Sequence, residues 1–229
     1  MLLCVYMDLY HALNRGVDKR TIFVDTQDYA RFVHDMYELN STAAAKHTGR
    51  SKMVDLRSRP SCILQPVTEQ LVDIHGWCLM HNHYHLLLSE RLEGGLVKFL
   101  RKLNVGYAKY FNERHKRSGT LFQGRTKKLL IDSDAYFLHI LNYIHLNPLD
   151  TLVETENWRL RSIQKSDVAI EHLRNFRWSS YLDYLGEKNF PSILTKTLFN
   201  DTFNGNYAEQ LNSYIQDLGS SEISHLKLE

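Results

Sequence analysis

"LVDIHGWCLM", residues 71–80, and "HYHLLLSE", residues 83–90, are two runs rich in strand-forming side chains, separated only by His81 and Asn82. Aromatic and aliphatic residues of this kind suit a pleated, largely buried surface. An asparagine in so short a connector suits a tight turn, so the stretch reads as a β-hairpin. The segments on either side fix what this hairpin belongs to. Before it, "VYMDLYHALNRG" (5–16) alternates loosely and stops at a glycine, the pattern of a first strand. "DTQDYARFVHDMYELN" (25–40) sets Tyr29, Phe32, Val33, Met36 and Tyr37 on one helical face, with Asp25 or Thr26 as the cap.

After the hairpin, Leu96, Leu100, Leu103, Tyr107 and Tyr110 step along one face of a second helix. "SGTLFQGRTKKLLI" (118–131) carries two glycines and then a short strand ending at Ile131. In "DSDAYFLHILNYIHLNP" Ser133 is the cap and Phe137, Leu141 and Ile144 the buried stripe. Pro148 disfavours helix in the residue before it, so this helix ends near Asn147. The order β-α-β-β-α-β plus one helix predicts an α+β fold. It is the ferredoxin-like, or split βαβ, antiparallel sheet backed by helices. Residues 1–150 form that domain. Residues 151–229, with short helical patterns at "RWSSYLDYLG" and "NYAEQLNSYIQDL", form an α-helical C-terminal extension.

The chain has 229 residues, 43% apolar and 24% charged, enough for a sizeable core. The apolar opening "MLLCVYM" is too short to span a membrane, so a soluble, cytoplasmic protein is expected. Cys4, Cys62 and Cys78 are odd in number and widely spaced, forming neither a disulfide framework nor a zinc pattern. A structural zinc domain is therefore disfavoured. Net charge is only +2, yet the segment from Lys98 to Lys128 holds ten basic side chains against Glu113 alone. That local +9 leaves −7 on the rest and points to a polyanionic partner. The expected phosphate contacts are Arg101, Arg114, Arg117, Arg125, Lys127 and Lys128, with Arg15 at the end of the first strand a weaker candidate. Residues 41–66 read as a basic loop insertion, with or without a function of its own. Tyr107, Tyr110, Phe111 and Phe122 lie among the basic residues, where they either stack on bases or pack the core.

On a strand, residues i and i+2 point to the same face about 7 Å apart. His83 and His85 therefore stand together while Tyr84 faces away, giving two imidazoles toward a metal site or two ordinary hydrogen-bonded histidines. Tyr143 and Asn147 lie at i and i+4 on one face of the last helix. If that helix crosses the sheet, the Asn147 oxygen can complete a metal shell and the Tyr143 phenol can act as nucleophile; otherwise the tyrosine is core. Tyr136 and Ile140 continue the same face.

"YHALNRG", "CLMHNHYHLLL", "YAKYFNERHKRSGTLFQGR", "YIHLNP" and "RWSSYLDYLG", in that order, resemble the single-tyrosine HUH transposases, in particular the REP-associated tyrosine transposase-like group. The resemblance spans most of residues 6–190 and fades beyond, and the insertion at 41–66 is longer than the family pattern. Tyr84 stands where the HUH signature usually has a bulky apolar residue, which leaves both ligands in place. His81 replaces a frequent proline and is a rival ligand, a weaker one because it lies on the turn.

The resemblance implies a divalent cation, Mg²⁺ or Mn²⁺, on His83 and His85 with Asn147 as third ligand, and Tyr143 as the nucleophile. It implies a single-strand DNA endonuclease and strand transferase that acts on hairpin or palindromic ends through a 5′-phosphotyrosine link. Such a protein would work as a monomer or homodimer in the bacterial cytoplasm, associated with the nucleoid when bound to DNA. No nucleotide triphosphate is needed, and no P-loop is present in the sequence. The alternative is a domesticated, non-catalytic protein that grips hairpin nucleic acid without cutting it.

Overall fold

The computed structural model describes residues 8–42, 69–155 and 157–219. Strand β1 (Leu9–Arg15) leads to helix α1 (Thr26–Glu38). The hairpin strands β2 (Val72–Met80) and β3 (His83–Glu90) follow, then α2 (Gly95–Arg114), the short β4 (Lys127–Leu130) and α3 (Asp134–Leu146). The strands form one sheet in the order β2-β3-β1-β4, with every neighbouring pair antiparallel. The protein is thus α+β, and β3 lies between the two strands that α1 connects. Residues 43–68, which include nearly all of the basic loop and Cys62, lie outside the described residues, as does Cys4.

Local signals account for the element ends. Asp25 caps α1, its side chain accepting from the backbone of Gln27 and Asp28, and Ser133 caps α3 by accepting from Tyr136. Just beyond α1, the Asn40 side-chain oxygen accepts from the backbone of Leu71 and Val72 at 3.0 Å each. Its Nδ2 donates to the Val72 carbonyl at 2.8 Å. One buried amide therefore docks the end of the first helix on the start of β2. The hairpin turn is stitched to the chain after β1: Gly16 donates to the Asn82 carbonyl at 2.9 Å and Ile22 to the His81 carbonyl at 2.8 Å.

Each sheet face carries its own core. On one, Phe32, Val33 and Met36 of α1 and Leu96, Phe99, Leu103 and Tyr107 of α2 pack on Ala12, Leu79, Tyr84, Leu86 and Leu88. On the other, Phe137, Ile140, Leu141 and Ile144 of α3 pack on Cys78, Met80 and Leu87. Each such side chain contributes about 1.5–3 kcal/mol on full burial. α3 approaches β2 closely at Gly76, where an added Cβ would lie 2.6 Å from Leu141 Cδ1.

Past the sheet the described residues carry α4 (Ser166–Asn175), α5 (Tyr181–Tyr184), α6 (Thr197–Thr202) and α7 (Tyr207–Gly219). Their packing is continuous with the sheet. Leu173, Phe199, Leu211 and Ile215 belong to the same core as α3. The segment around residue 179 also lies along the outer edge of β2: Leu79 donates to the Trp178 carbonyl and Ser180 to the Trp77 carbonyl, both at 2.9 Å. An edge strand that would otherwise present open hydrogen-bonding groups is thereby covered. Among the described residues no helix is long and apolar enough to cross a membrane.

Candidate active site

His83 opens β3 and His85 follows on the same face, the one that carries α3. Tyr84 passes through to the opposite core, where its hydroxyl donates to Asn104 Oδ1 at 2.8 Å. The His83 and His85 ring centroids are 5.0 Å apart with the planes nearly perpendicular. Tyr143, near the end of α3, sets its ring edge-on to His85 at 5.7 Å. The strand pair and the helical tyrosine are therefore neighbours, and the close packing of Leu141 on Gly76 sets how near the helix comes.

Asn147 lies fully buried one turn further on. Its Nδ2 donates to the Tyr143 carbonyl at 2.7 Å and its Oδ1 accepts from Arg159 Nη2 at 2.9 Å. The oxygen needed for a third ligand thus already accepts one hydrogen bond from a guanidinium, which uses one of its two lone pairs. Arg159 also lies 5.6 Å from the Tyr143 ring centroid and 4.4 Å from that of Trp158, and it pairs with Asp150. A cation supplied by the extension therefore stands beside the nucleophile candidate.

Sequence reasoning missed Arg159 and Trp158, and it also missed His11. This imidazole on β1 stacks on His85 with centroids 5.1 Å apart, its Nε2 2.8 Å from His85 Nδ1. It also touches the Tyr143 ring at 5.8 Å, and its Nδ1 lies 3.5 Å from the Tyr136 hydroxyl. The signal was present in "YHAL", where alternation puts His11 on one face of β1. The pairing that makes it the diagonal neighbour of His85, Leu13 opposite His85, joins strands that are distant in the chain.

Burial keeps these rings neutral. Desolvation lowers His83 to about 3, helped by the charges of Arg15, His81 and Arg159, and lowers His11 to about 4. His85 is pushed well below the ordinary histidine value, first by desolvation and then by His11 and His83. A neutral imidazole offers a lone pair, so the donor set fits a divalent cation. Among the described residues, the one group of three His, Cys, Asp or Glu donors within 4.8 Å of one another is instead His34, Asp35 and Glu38 on α1, on the far side of the sheet, where Arg31 already pairs with Asp35.

The basic side chains do not line a single groove. Arg15 pairs across from His83, and Lys127 lies opposite Leu13, which lies opposite His85, so both belong to the histidine face. Arg125 is exposed beside β4, and Lys128 takes the opposite parity. Arg101 is exposed on α2, across the sheet from the histidines. Arg117 donates to Asn112 Oδ1 at 2.6 Å and lies 5.8 Å from the Phe111 ring centroid. Arg114 has a structural task instead: it pairs with Asp25 at 2.6 Å and with fully buried Asp28. The aromatic alternatives also resolve. Tyr107, Phe111 and Phe122 are core, Tyr107 donating to the Ile22 carbonyl, and Tyr110 packs against that core and bonds to Asp28.

Residues 50–147 match the family model described as "Transposase IS200 like". The match includes His83, His85, Tyr143 and Asn147 and leaves out β1 and the extension. No curated protein matches the chain. A solved structure described as "Structure of the REP associates tyrosine transposase bound to a REP hairpin" is similar with a TM-score of 0.48 at 13% identity, over 86% of this chain and 93% of that one. The matched segment builds the hairpin, α2, β4 and α3, and carries the histidine pair and Tyr143.

Proposed function

We propose that this protein is a metal-dependent single-strand DNA endonuclease and strand transferase, built on a ferredoxin-like sheet and acting on hairpin-bearing DNA. One observation carries the reading: the Tyr143 ring lies 5.7 Å from His85, which lies 5.0 Å from His83. His83 and His85 would hold Mg²⁺ or Mn²⁺, with Asn147 as third ligand through the second lone pair of the oxygen that Arg159 bonds. The bound cation would withdraw charge from the phosphate that a nucleophile must approach.

In the reaction the Tyr143 oxygen attacks phosphorus. The phenol gives up its proton to water as a new O–P bond forms, the P–O3′ bond breaks, and the leaving 3′-oxygen takes up a proton from water. The 5′-phosphotyrosine link conserves the phosphodiester bond energy, so another 3′-hydroxyl can reverse the step and join strands. Arg159, 5.6 Å from the Tyr143 ring centroid, would add a positive charge near the phosphate that the tyrosine attacks. Arg15 and Lys127 share the histidine face and would track the phosphates of the scissile strand. A single strand can bring its phosphate down to a tyrosine set close against the sheet, whereas a duplex would hold it away. The protein would work as a monomer or a homodimer.

Incubation with labelled single-stranded hairpin DNA and Mn²⁺, followed by a denaturing gel, tests the reading. The wild type is expected to form a covalent adduct and Tyr143→Phe none. His83→Ala/His85→Ala should bind the hairpin but cut poorly. An adduct that survives in Tyr143→Phe would transfer the nucleophile role to Tyr136. A wild type that retains the hairpin without any adduct would leave the non-catalytic binding protein as the better description.

A further inference from the structure

His83 and His85 can ligate a metal only through a nitrogen that carries neither a proton nor a protein partner, and the groups around them decide which nitrogen that is. His83 Nδ1 lies 2.6 Å from Asn82 Oδ1. The Asn82 amide cannot be turned the other way, because its Nδ2 donates to the Lys19 carbonyl at 3.2 Å. An amide oxygen only accepts, so the proton of this bond sits on His83 Nδ1 and Nε2 is left bare. The Asn82 backbone is itself held, its carbonyl accepting from Gly16 at 2.9 Å.

His85 presents the same geometry with a different partner. Its Nδ1 is 2.8 Å from His11 Nε2, so one of the two nitrogens donates and the other accepts. If His11 donated, His85 would carry its proton on Nε2 and have no free lone pair. If His85 donates, Nε2 is bare. His11 then holds its own proton on Nδ1, the atom 3.5 Å from the Tyr136 hydroxyl oxygen, which can accept it. Both rings are 3% exposed, so bulk water does not substitute for either partner.

We propose that Asn82 and His11 are positioning residues that hold His83 and His85 in the Nδ1–H tautomer and so present both Nε2 atoms as metal ligands. This rests on the metal-dependent reading above and adds to it the source of the ligand tautomers. A metal-binding imidazole generally gives its second N–H to such an outer partner, and loss of that partner weakens binding about 10- to 100-fold. Here one outer partner comes from the hairpin turn just before the ligands and the other from β1, so these four residues draw on two separate segments.

Two measurements test the proposal. Long-range proton–nitrogen NMR on the metal-free protein reads the tautomers directly, and both His83 and His85 are expected with the proton on Nδ1. Mn²⁺ titration followed by EPR reads affinity. His11→Phe keeps the stacked ring but removes the acceptor, and Asn82→Leu removes the other; each is expected to weaken Mn²⁺ about 10- to 100-fold. His11→Gln and Asn82→Asp keep an accepting oxygen and are expected to recover most of the loss, with thermal melts confirming that all four fold. An Nε2–H tautomer at His85, or affinities of His11→Phe and Asn82→Leu within twofold of wild type, would overturn the proposal. If the wild type still forms its DNA adduct in that case, only the positioning roles fail. A wild type that neither binds Mn²⁺ nor forms an adduct overturns both readings.

Discussion

Tyr207→Phe deletes one oxygen in the extension and should weaken the whole molecule. His145 lies on α3 between Tyr143 and Asn147 but is fully buried in the second core. Its Nε2 is 2.7 Å from Ser180 Oγ and its Nδ1 is 2.7 Å from the Tyr207 hydroxyl. One imidazole thereby ties α3 to the segment covering β2 and to α7. The substitution removes a hydrogen bond worth about 1 kcal/mol net and leaves a buried nitrogen unpaired, so the expected loss is about 2–3 kcal/mol. Urea denaturation at pH 7.5, followed by both circular dichroism and tryptophan fluorescence, should show one transition moved to lower urea. Burial lowers His145 to about 3, below its value in the unfolded chain. The unfolded chain therefore takes up the proton first, and stability, complete above about 6.5, falls as pH drops from there towards about 3. One unit below 6.5 the loss is about 1.4 kcal/mol, and a His145→Leu variant should lack that part of the pH dependence. A Tyr207→Phe protein within 0.5 kcal/mol of wild type would refute the reasoning, where about 2 is expected. So would two separate transitions by the two probes, because the extension would then dock independently of the sheet.

Asn40→Ala removes three buried backbone contacts at the start of β2 and should cost about 2–4 kcal/mol by chemical denaturation. Gly76→Ala puts a methyl group 2.6 Å from Leu141 Cδ1 and should cost about 1–3 kcal/mol; Leu141→Val in the same chain should restore part of it. Arg15→Ala and Lys127→Ala should each reduce the salt dependence of single-strand binding by about 0.7 in the slope of log K against log salt. Arg114→Ala should leave that slope unchanged and instead lower stability by about 2–3 kcal/mol, because it strips a charged partner from fully buried Asp28.

Strands, helices and caps were legible where the signal is local. The hairpin turn at His81 and Asn82, the Ser133 cap and the helix end before Pro148 all follow from residues within one turn of the feature. The pairing of His83 with His85 is local as well, because strand parity alone puts them on one face. The placement of Tyr143 beside them was legible only as a condition, that α3 crosses the sheet. The contact satisfying it, Leu141 on Gly76, joins residues far apart in the chain. Charge was the least informative signal. Counting basic residues between Lys98 and Lys128 suggested a set of phosphate contacts, yet strand parity and the two faces of the sheet divide them, and Arg114 is paired with Asp25 and Asp28.

What the sequence hid most fully is that the site is assembled from outside its recognisable segment. His11 comes from β1 and Arg159 from the extension, both beyond the residues that match the family model. Neither carries a local pattern: a histidine on an alternating strand and an arginine after a tryptophan have many ordinary uses. Their positions depend on register and on how the extension folds back over β2. The division at residue 150 suggested by composition therefore cuts across the chemistry. The second core runs from α3 into α7, and the guanidinium that holds Asn147 Oδ1 is fixed by Asp150 and Trp158, at the junction itself. How Asn147 Oδ1 is aimed is therefore decided at this junction, by residues just past the helix rather than by the histidines.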